Sequence, residues 1–226
     1  MPDQPTTISQ SDEKPFLSPP EARVLASLME KQLATPKYYP MTPNALTQAC
    51  NQKSSREPVM NLNEGEVRHI LNLLEHRRLV KVDSGDRTYR ISHRMKQALN
   101  LEHSELAVLT VLMLRFPQTL NDILRRTARM VEFSDADEVQ LVVESMIERD
   151  QPLAVLLPKG PGQREDRYWH TLCGKCKDEY LVADKKEGAK ESADDRFARF
   201  EDRLEQLESK MDAIIRQIEQ LSSKSH

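Results

Sequence analysis

The chain has 226 residues, a formal net charge of −3, 38% hydrophobic and 31% charged residues, three cysteines, six glycines and one tryptophan. No run of 18 or more apolar residues occurs, and the polar N-terminus lacks the basic-then-apolar order of an export signal, so a cytoplasmic protein without membrane contact is expected. Three cysteines cannot build a disulfide framework, and the glycines spell neither G-x-G-x-x-G nor G-x-x-x-x-G-K-[ST], which excludes the usual nucleotide-binding loops.

Charge is uneven along the chain. Residues 17–97 carry 13 Lys/Arg against 8 Asp/Glu, whereas residues 98–172 carry 8 against 12, so two adjacent blocks of similar size differ in sign. Residues 1–16 have little to bury and read as a disordered arm. Ser18-Pro19-Pro20-Glu21 is a capping box with proline at the first helical position, and Val24, Leu25, Leu28 and Met29 follow at helical spacing. A second helix is predicted from Thr42 and Pro43. A third opens at Asn63 with Glu66 three residues on, and its stripe is Val67, Ile70, Leu71 and Leu74. The period then changes, and residues 79–82 and 88–92 read as strands around Asp83-Ser84-Gly85-Asp86.

The same order recurs downstream. Glu105, Val108, Leu109, Leu112 and Met113 match Glu21, Val24, Leu25, Leu28 and Met29 at an offset of 84. Ile123 and Leu124 fall on a second helix, Asp135 and Glu138 open a third, and strands are expected at 153–157 and 167–171, where Arg167 and Trp169 echo Arg87 and Tyr89 at an offset of 80. Three helices and a hairpin describe the winged form of the helix-turn-helix, so a tandem duplication is expected rather than two unrelated α+β lobes. The expected fold is mainly α with small β-hairpins (α+β): two tandem winged-helix domains at 17–97 and 98–172, a linker over 173–193 and a C-terminal coiled-coil helix over 194–222.

The coiled coil rests on Phe197, Phe200, Leu204, Leu207, Met211, Ile214, Ile218 and Leu221, whose steps alternate between three and four. A single amphipathic helix lying on its own globule is the alternative, but the seam is narrower than such a helix shows. With Phe197 at the first heptad position, a parallel pair sets Arg196 against Glu201 and Arg203 against Glu208, whereas an antiparallel pair opposes like charges. A parallel homodimer is expected.

His170, Cys173 and Cys176 form an H-x-x-C-x-x-C run whose imidazole and thiolates suit zinc. No fourth ligand accompanies them, so free thiols at a domain edge are the competing reading, and no metal or cofactor is expected. His69, His76, His93 and His103 have no paired Ser or Cys nucleophile and read as surface residues; no enzyme is expected.

Asn51-Gln52-Lys53-Ser54-Ser55-Arg56-Glu57-Pro58 is longer than a standard helix-turn-helix connection. Its amides, hydroxyls and cations suit phosphate and base-edge contacts, and equally suit a solvated loop. The candidate DNA contacts are Asn51, Gln52, Lys53, Ser54 and Arg56 on this loop, Arg68 on the third helix, and Arg87, Arg90 and Arg94 on a basic wing. Glu64, Glu66 and Glu75 on the third helix oppose such contacts. Asp137, Glu138, Glu144 and Glu148 on its counterpart make the second domain a poor DNA binder and a better protein-contact domain.

The run Glu21-Ala-Arg-Val-Leu-Ala-Ser-Leu-Met-Glu-Lys31, with Thr35-Pro36, Tyr39-Pro40, Asn44-Ala-Leu46 and Ala49-Cys-Asn-Gln-Lys-Ser-Ser-Arg56-x-Pro58-Val59, resembles the YceH family of bacterial proteins. Leu112 to Arg115, Ala128-Arg129-Met130 and Glu132-Phe133 agree with it, and the resemblance spans Leu17 to Gly174. It implies a tandem winged-helix fold in a cytosolic bacterial protein and carries no activity or catalytic residues with it. Cys173-Gly174 stands where such proteins commonly have Ser-Gly, which weakens the zinc reading.

The leading expectation is a non-enzymatic, homodimeric, DNA-associated protein, a transcriptional regulator in type. The rival is a protein-interaction scaffold similar to the tandem winged-helix subunits of chromosome-condensing complexes. A metal sensor built on His170 and the two thiols is third.

Overall fold

A computed structural model describes residues 15–84, 88–160 and 163–183 of the chain. The first unit comprises α1 (Pro19–Ala34), a 3-10 turn (Pro36–Tyr38), α2 (Pro43–Cys50), α3 (Glu64–His76) and the hairpin β1 (Val80–Ser84) and β2 (Tyr89–His93). A short α4 (Met95–Ala98) leads to α5 (His103–Leu114), α6 (Leu120–Thr127), α7 (Ala136–Ile147) and the hairpin β3 (Ala154–Leu157) and β4 (Arg167–His170), followed by α8 (Asp178–Ala183). The protein is thus α+β, with two separate antiparallel two-stranded sheets among the described residues.

The helices begin where their capping side chains stand. Asn63 accepts from the Glu66 main-chain amide at 3.0 Å while the Glu66 carboxylate accepts from the Asn63 amide at 2.7 Å. Thr42 accepts from Ala45, Thr119 from Asp122, and Asp135 from both Asp137 and Glu138. Each such cap removes an orphan amide donor and stabilises its helix by about 1 kcal/mol.

The repeat is written in contacts as well as in order. Glu21 pairs with Arg77, which also donates to the Phe16 carbonyl; Glu105 pairs with Arg149, which also donates to the Asn100 carbonyl. Each arginine therefore fastens the end of the third helix to the start of the first. Isolated bridges join Met41 to Ile91 and Gln118 to Tyr168, in each unit just before the second helix. These bridges, and the cross-strand pairs Val80 with His93 and Ala154 with His170, place the return strands in register at an offset of 77. The offset of 80 read from Arg87 and Tyr89 is therefore corrected. Two similar residue types had been aligned across hairpin loops of unequal length, and strand pairing decides the register.

The units do not keep separate cores. Ala22 to Met29 of α1 and Glu105 to Leu114 of α5 are buried without interruption, because α1 and α5 make the most extensive contact between any two elements. One continuous apolar cluster runs from Leu17 to Leu172. Main-chain bonds from Leu17 to Leu172 (2.8 Å) and from Glu57 to Leu114 (2.8 Å) tie the units further.

The terminal expectations need adjustment at their inner edges. Phe16, read as part of the arm, lies under the Arg77 guanidinium at 4.7 Å. The expected linker is helical over Asp178–Ala183 and docked: the Tyr180 ring lies 4.9 Å from Phe116 and 5.7 Å from Trp169. One aromatic anchor outweighs the charged composition around it. Gly174, at φ +79°, reverses the chain into this segment. The arm over residues 1–14 and the coiled coil over 194–222 lie outside the described residues.

Candidate nucleic-acid interface

The loop after α2 is an internal clasp. Arg56 is 1% exposed. Its Nε donates to the Ala49 carbonyl at 3.0 Å, and its two terminal nitrogens reach Glu30 Oε1 at 3.2 Å and Oε2 at 2.5 Å. Burial alone would raise the Glu30 carboxyl, but the Arg56 guanidinium holds it below the usual carboxylate range. The expectation that Arg56 contacts DNA is corrected, because a buried guanidinium committed to the half-buried Glu30 carboxylate cannot reach a phosphate. Asn51 is also committed: its amide donates to the Leu62 carbonyl at 2.7 Å and its oxygen accepts from the Leu62 amide at 2.8 Å. Glu57 accepts from the Phe116 amide at 3.2 Å and pairs with Arg115 at 3.4 Å, extending the clasp to the second unit.

The remaining candidates divide differently. Gln52 and Ser54 are half-buried on the loop, and Lys53 is exposed. Arg68 is exposed and is the only Lys or Arg on α3, whose first turn carries Glu64 and Glu66. Arg90 and Arg94 are exposed on and just after β2. The register sets Arg90 opposite Asp83, and Lys81, a cation the sequence reading passed over, pairs with Asp83 at 2.6 Å on the same hairpin face. The period-two alternation of β1 was the signal that would have found it. Arg87 lies outside the described residues. The structure therefore presents Lys53, Arg68, Lys81, Arg90 and Arg94 to solvent and removes Arg56 and Asn51.

His93 is a second correction. Read as a surface residue, it is buried; its Nε2 bonds Gln32 Oε1 at 2.6 Å and its Nδ1 accepts from the Met95 amide at 3.2 Å. Burial pushes its pKa down to about 4, so the ring is neutral at pH 7. Its counterpart His170 is buried as well, with a pKa pushed down to about 3. Burial raises the Cys173 and Cys176 thiols to about 12 and about 11.

Two linked helical units, each closed by a hairpin and sharing one core, define the class of protein. A family model described as "Protein of unknown function, DUF480" matches residues 17–163, and the chain belongs to that family. The chain is similar to the UPF0502 protein of Cellvibrio japonicus, 42% identical over 211 residues that cover 93% of this chain and 96% of the relative. It is also similar to UPF0502 proteins of Stenotrophomonas maltophilia, 39% identical over 218 residues (96% and 99%), and of Azotobacter vinelandii, 50% identical over 152 residues (67% and 67%).

Proposed function

We propose that the protein is a non-enzymatic, cytoplasmic tandem winged-helix protein that associates with DNA through its first unit, as a regulator would. On this reading DUF480 is the family to which the YceH resemblance points. Three features support the winged-helix assignment: the order of three helices and a hairpin, its recurrence, and the bridge that adds Met41 or Gln118 beside each hairpin. The observation that carries the DNA reading is the exposure of Lys53, Arg68, Arg90 and Arg94 on the loop, third helix and hairpin of the unit with excess positive charge. The carboxylates of α3 oppose entry of that helix into a groove, so the exposed cations are assigned to the phosphate backbone, which positions the protein without reading sequence. The heptads from Phe197 to Leu221 would pair two copies in parallel and double the number of contacts.

The test is fluorescence anisotropy of a labelled mixed-sequence duplex at 50 to 200 mM salt. Each neutralised phosphate contributes a slope of about −0.9 in log affinity against log salt, so four contacts per chain give about −3.6 and the eight of a pair about −7.2. The variant carrying Lys53, Arg68, Arg90 and Arg94 all as Ala is expected to lose that slope. Binding that is absent in the native protein, or unchanged in the variant, refutes the reading.

A second reading, contact with another protein through the second unit, is favoured by Leu141, 68% exposed on an α7 without Lys or Arg, and by Val155 and Leu156 exposed on β3. Pull-down with the Leu141→Glu variant tests it: a stoichiometric partner retained by the native chain and lost by the variant supports it.

A further inference from the structure

A small cleft of about 50 Å³, partly open to solvent, lies where α1, the loop at Glu57 to Met60, α5, the end of β4 and the C-terminal segment meet. Three of its lining side chains hold buried nitrogens without a hydrogen-bond partner: Arg23 Nε, Trp169 Nε1 and His170 Nδ1. These residues are 2%, 6% and 2% exposed. Buried polar groups in native proteins are nearly always paired, because an unpaired one keeps the full cost of its desolvation. Three around one cleft point to a ligand that completes them.

The repeat sharpens this. His93 and His170 occupy the same position of their hairpins, yet His93 has both ring nitrogens partnered whereas His170 Nδ1 has none. Arg23 is equally distinctive. Its guanidinium donates to the Cys50 carbonyl at 3.1 Å and the Pro58 carbonyl at 2.6 Å, and among the described residues it meets no carboxylate in an ion pair. Desolvation pushes its pKa down to about 10, and Glu30 and Glu57 offset its charge only from beyond ion-pair distance.

We propose that this cleft binds a small organic anion, a monocarboxylate with a planar apolar body. Its carboxylate receives the Arg23 and Trp169 N–H groups and faces Lys175 at the rim. Its body lies among Met60, Met113 and the Tyr180 ring, which line the same cleft. The neutral His170 ring takes its proton on whichever nitrogen suits the ligand. A free phosphate dianion fits less well, because Met60, Met113 and the Tyr180 ring in the lining would contribute nothing to its solvation.

Trp169 is the only tryptophan of the chain and stands in the cleft, so its fluorescence reports occupancy directly. Benzoate is the probe, titrated into the full chain at constant ionic strength, with benzamide as the neutral isostere and inorganic phosphate as the purely ionic control. The expected result is a saturable change of Trp169 emission with benzoate, at least about tenfold weaker with benzamide and absent with phosphate, as a charge-assisted pair requires. Arg23→Gln is expected to abolish benzoate binding. Because that variant alters a buried site and can fail to fold, Lys175→Glu at the exposed rim is the second arm, expected to weaken benzoate several-fold with the fold intact by circular dichroism. No saturable change up to about 10 mM benzoate, equal affinity for benzamide, a response to phosphate alone, or binding untouched by Lys175→Glu overturns the proposal.

Discussion

Arg149 donates to both oxygens of Glu105, at 2.7 and 2.9 Å, and thereby fixes the end of α7 to the start of α5. The matching clamp of the first unit, Arg77 on Glu21, is longer at 3.3 Å and more exposed. Exposed pairs contribute about 0.2–1 kcal/mol, whereas a partner removed from a mostly buried pair leaves an uncompensated charge. Arg149→Ala is therefore expected to cost about 2–3 kcal/mol in urea denaturation and Arg77→Ala about 1 kcal/mol. Equal costs would contradict the difference in burial.

Arg56 separates folding from binding in any DNA experiment. Arg56→Ala strands the Glu30 carboxylate beside the shared core and is expected to destabilise the chain by about 3–5 kcal/mol. Lys53→Ala, at an exposed neighbour, stays within about 0.5 kcal/mol. Thermal unfolding of the two variants distinguishes them, and a fully stable Arg56→Ala protein would show that the ion pair is not structural.

The two buried histidines set an acid limit. Both titrate near 6.5 when unfolded but at about 4 and about 3 when folded. Below pH 6.5 the unfolded chain takes up protons that the folded chain refuses, so stability falls as pH drops from 6.5 toward 4. Each histidine contributes about 1.4 kcal/mol per pH unit. Glu30, lowered by Arg56, adds loss in the same direction once pH falls below its unfolded value near 4.5. Urea midpoints at pH 7.5, 6.0 and 5.0 are expected to decline, and His93→Gln, which keeps a donor and an acceptor, is expected to reduce the decline between 6.0 and 5.0 by about half. A flat profile would refute the neutral, buried assignment.

The heptads predict an oligomer that two charges can dissolve. Leu207→Glu with Ile214→Glu places four carboxylates in the seam of a pair. Light scattering of the native chain is expected to give a mass of twice 26.1 kDa, and of the variant the single-chain mass. A monomeric native chain at micromolar concentration would remove the homodimer.

Local signals carried through to structure where the chemistry was local. Ser18, Thr42, Asn63 and Asp135 stand at the helix starts read from them, since a capping side chain and its amide lie within three residues of each other. The strands were legible to within two residues for the same reason. Long-range partners were not. Arg56 and Lys53 look alike in a polar loop, and only the approach of Glu30, 26 residues away in sequence, turns one inward and leaves the other in solvent. Arg23, Trp169 and His170 fall on three different runs of sequence, and no spacing rule connects them.

By itself the sequence determined the order of helices and hairpins, their duplication and the sign of charge on each unit, because these depend on propensity, period and composition. Only the tertiary structure decided which cations remain available, which histidines are dry and where unpaired donors converge. The reason is that packing α1 against α5 brings residues more than a hundred positions apart into one desolvated junction, and the free energy of a polar group depends on what surrounds it there.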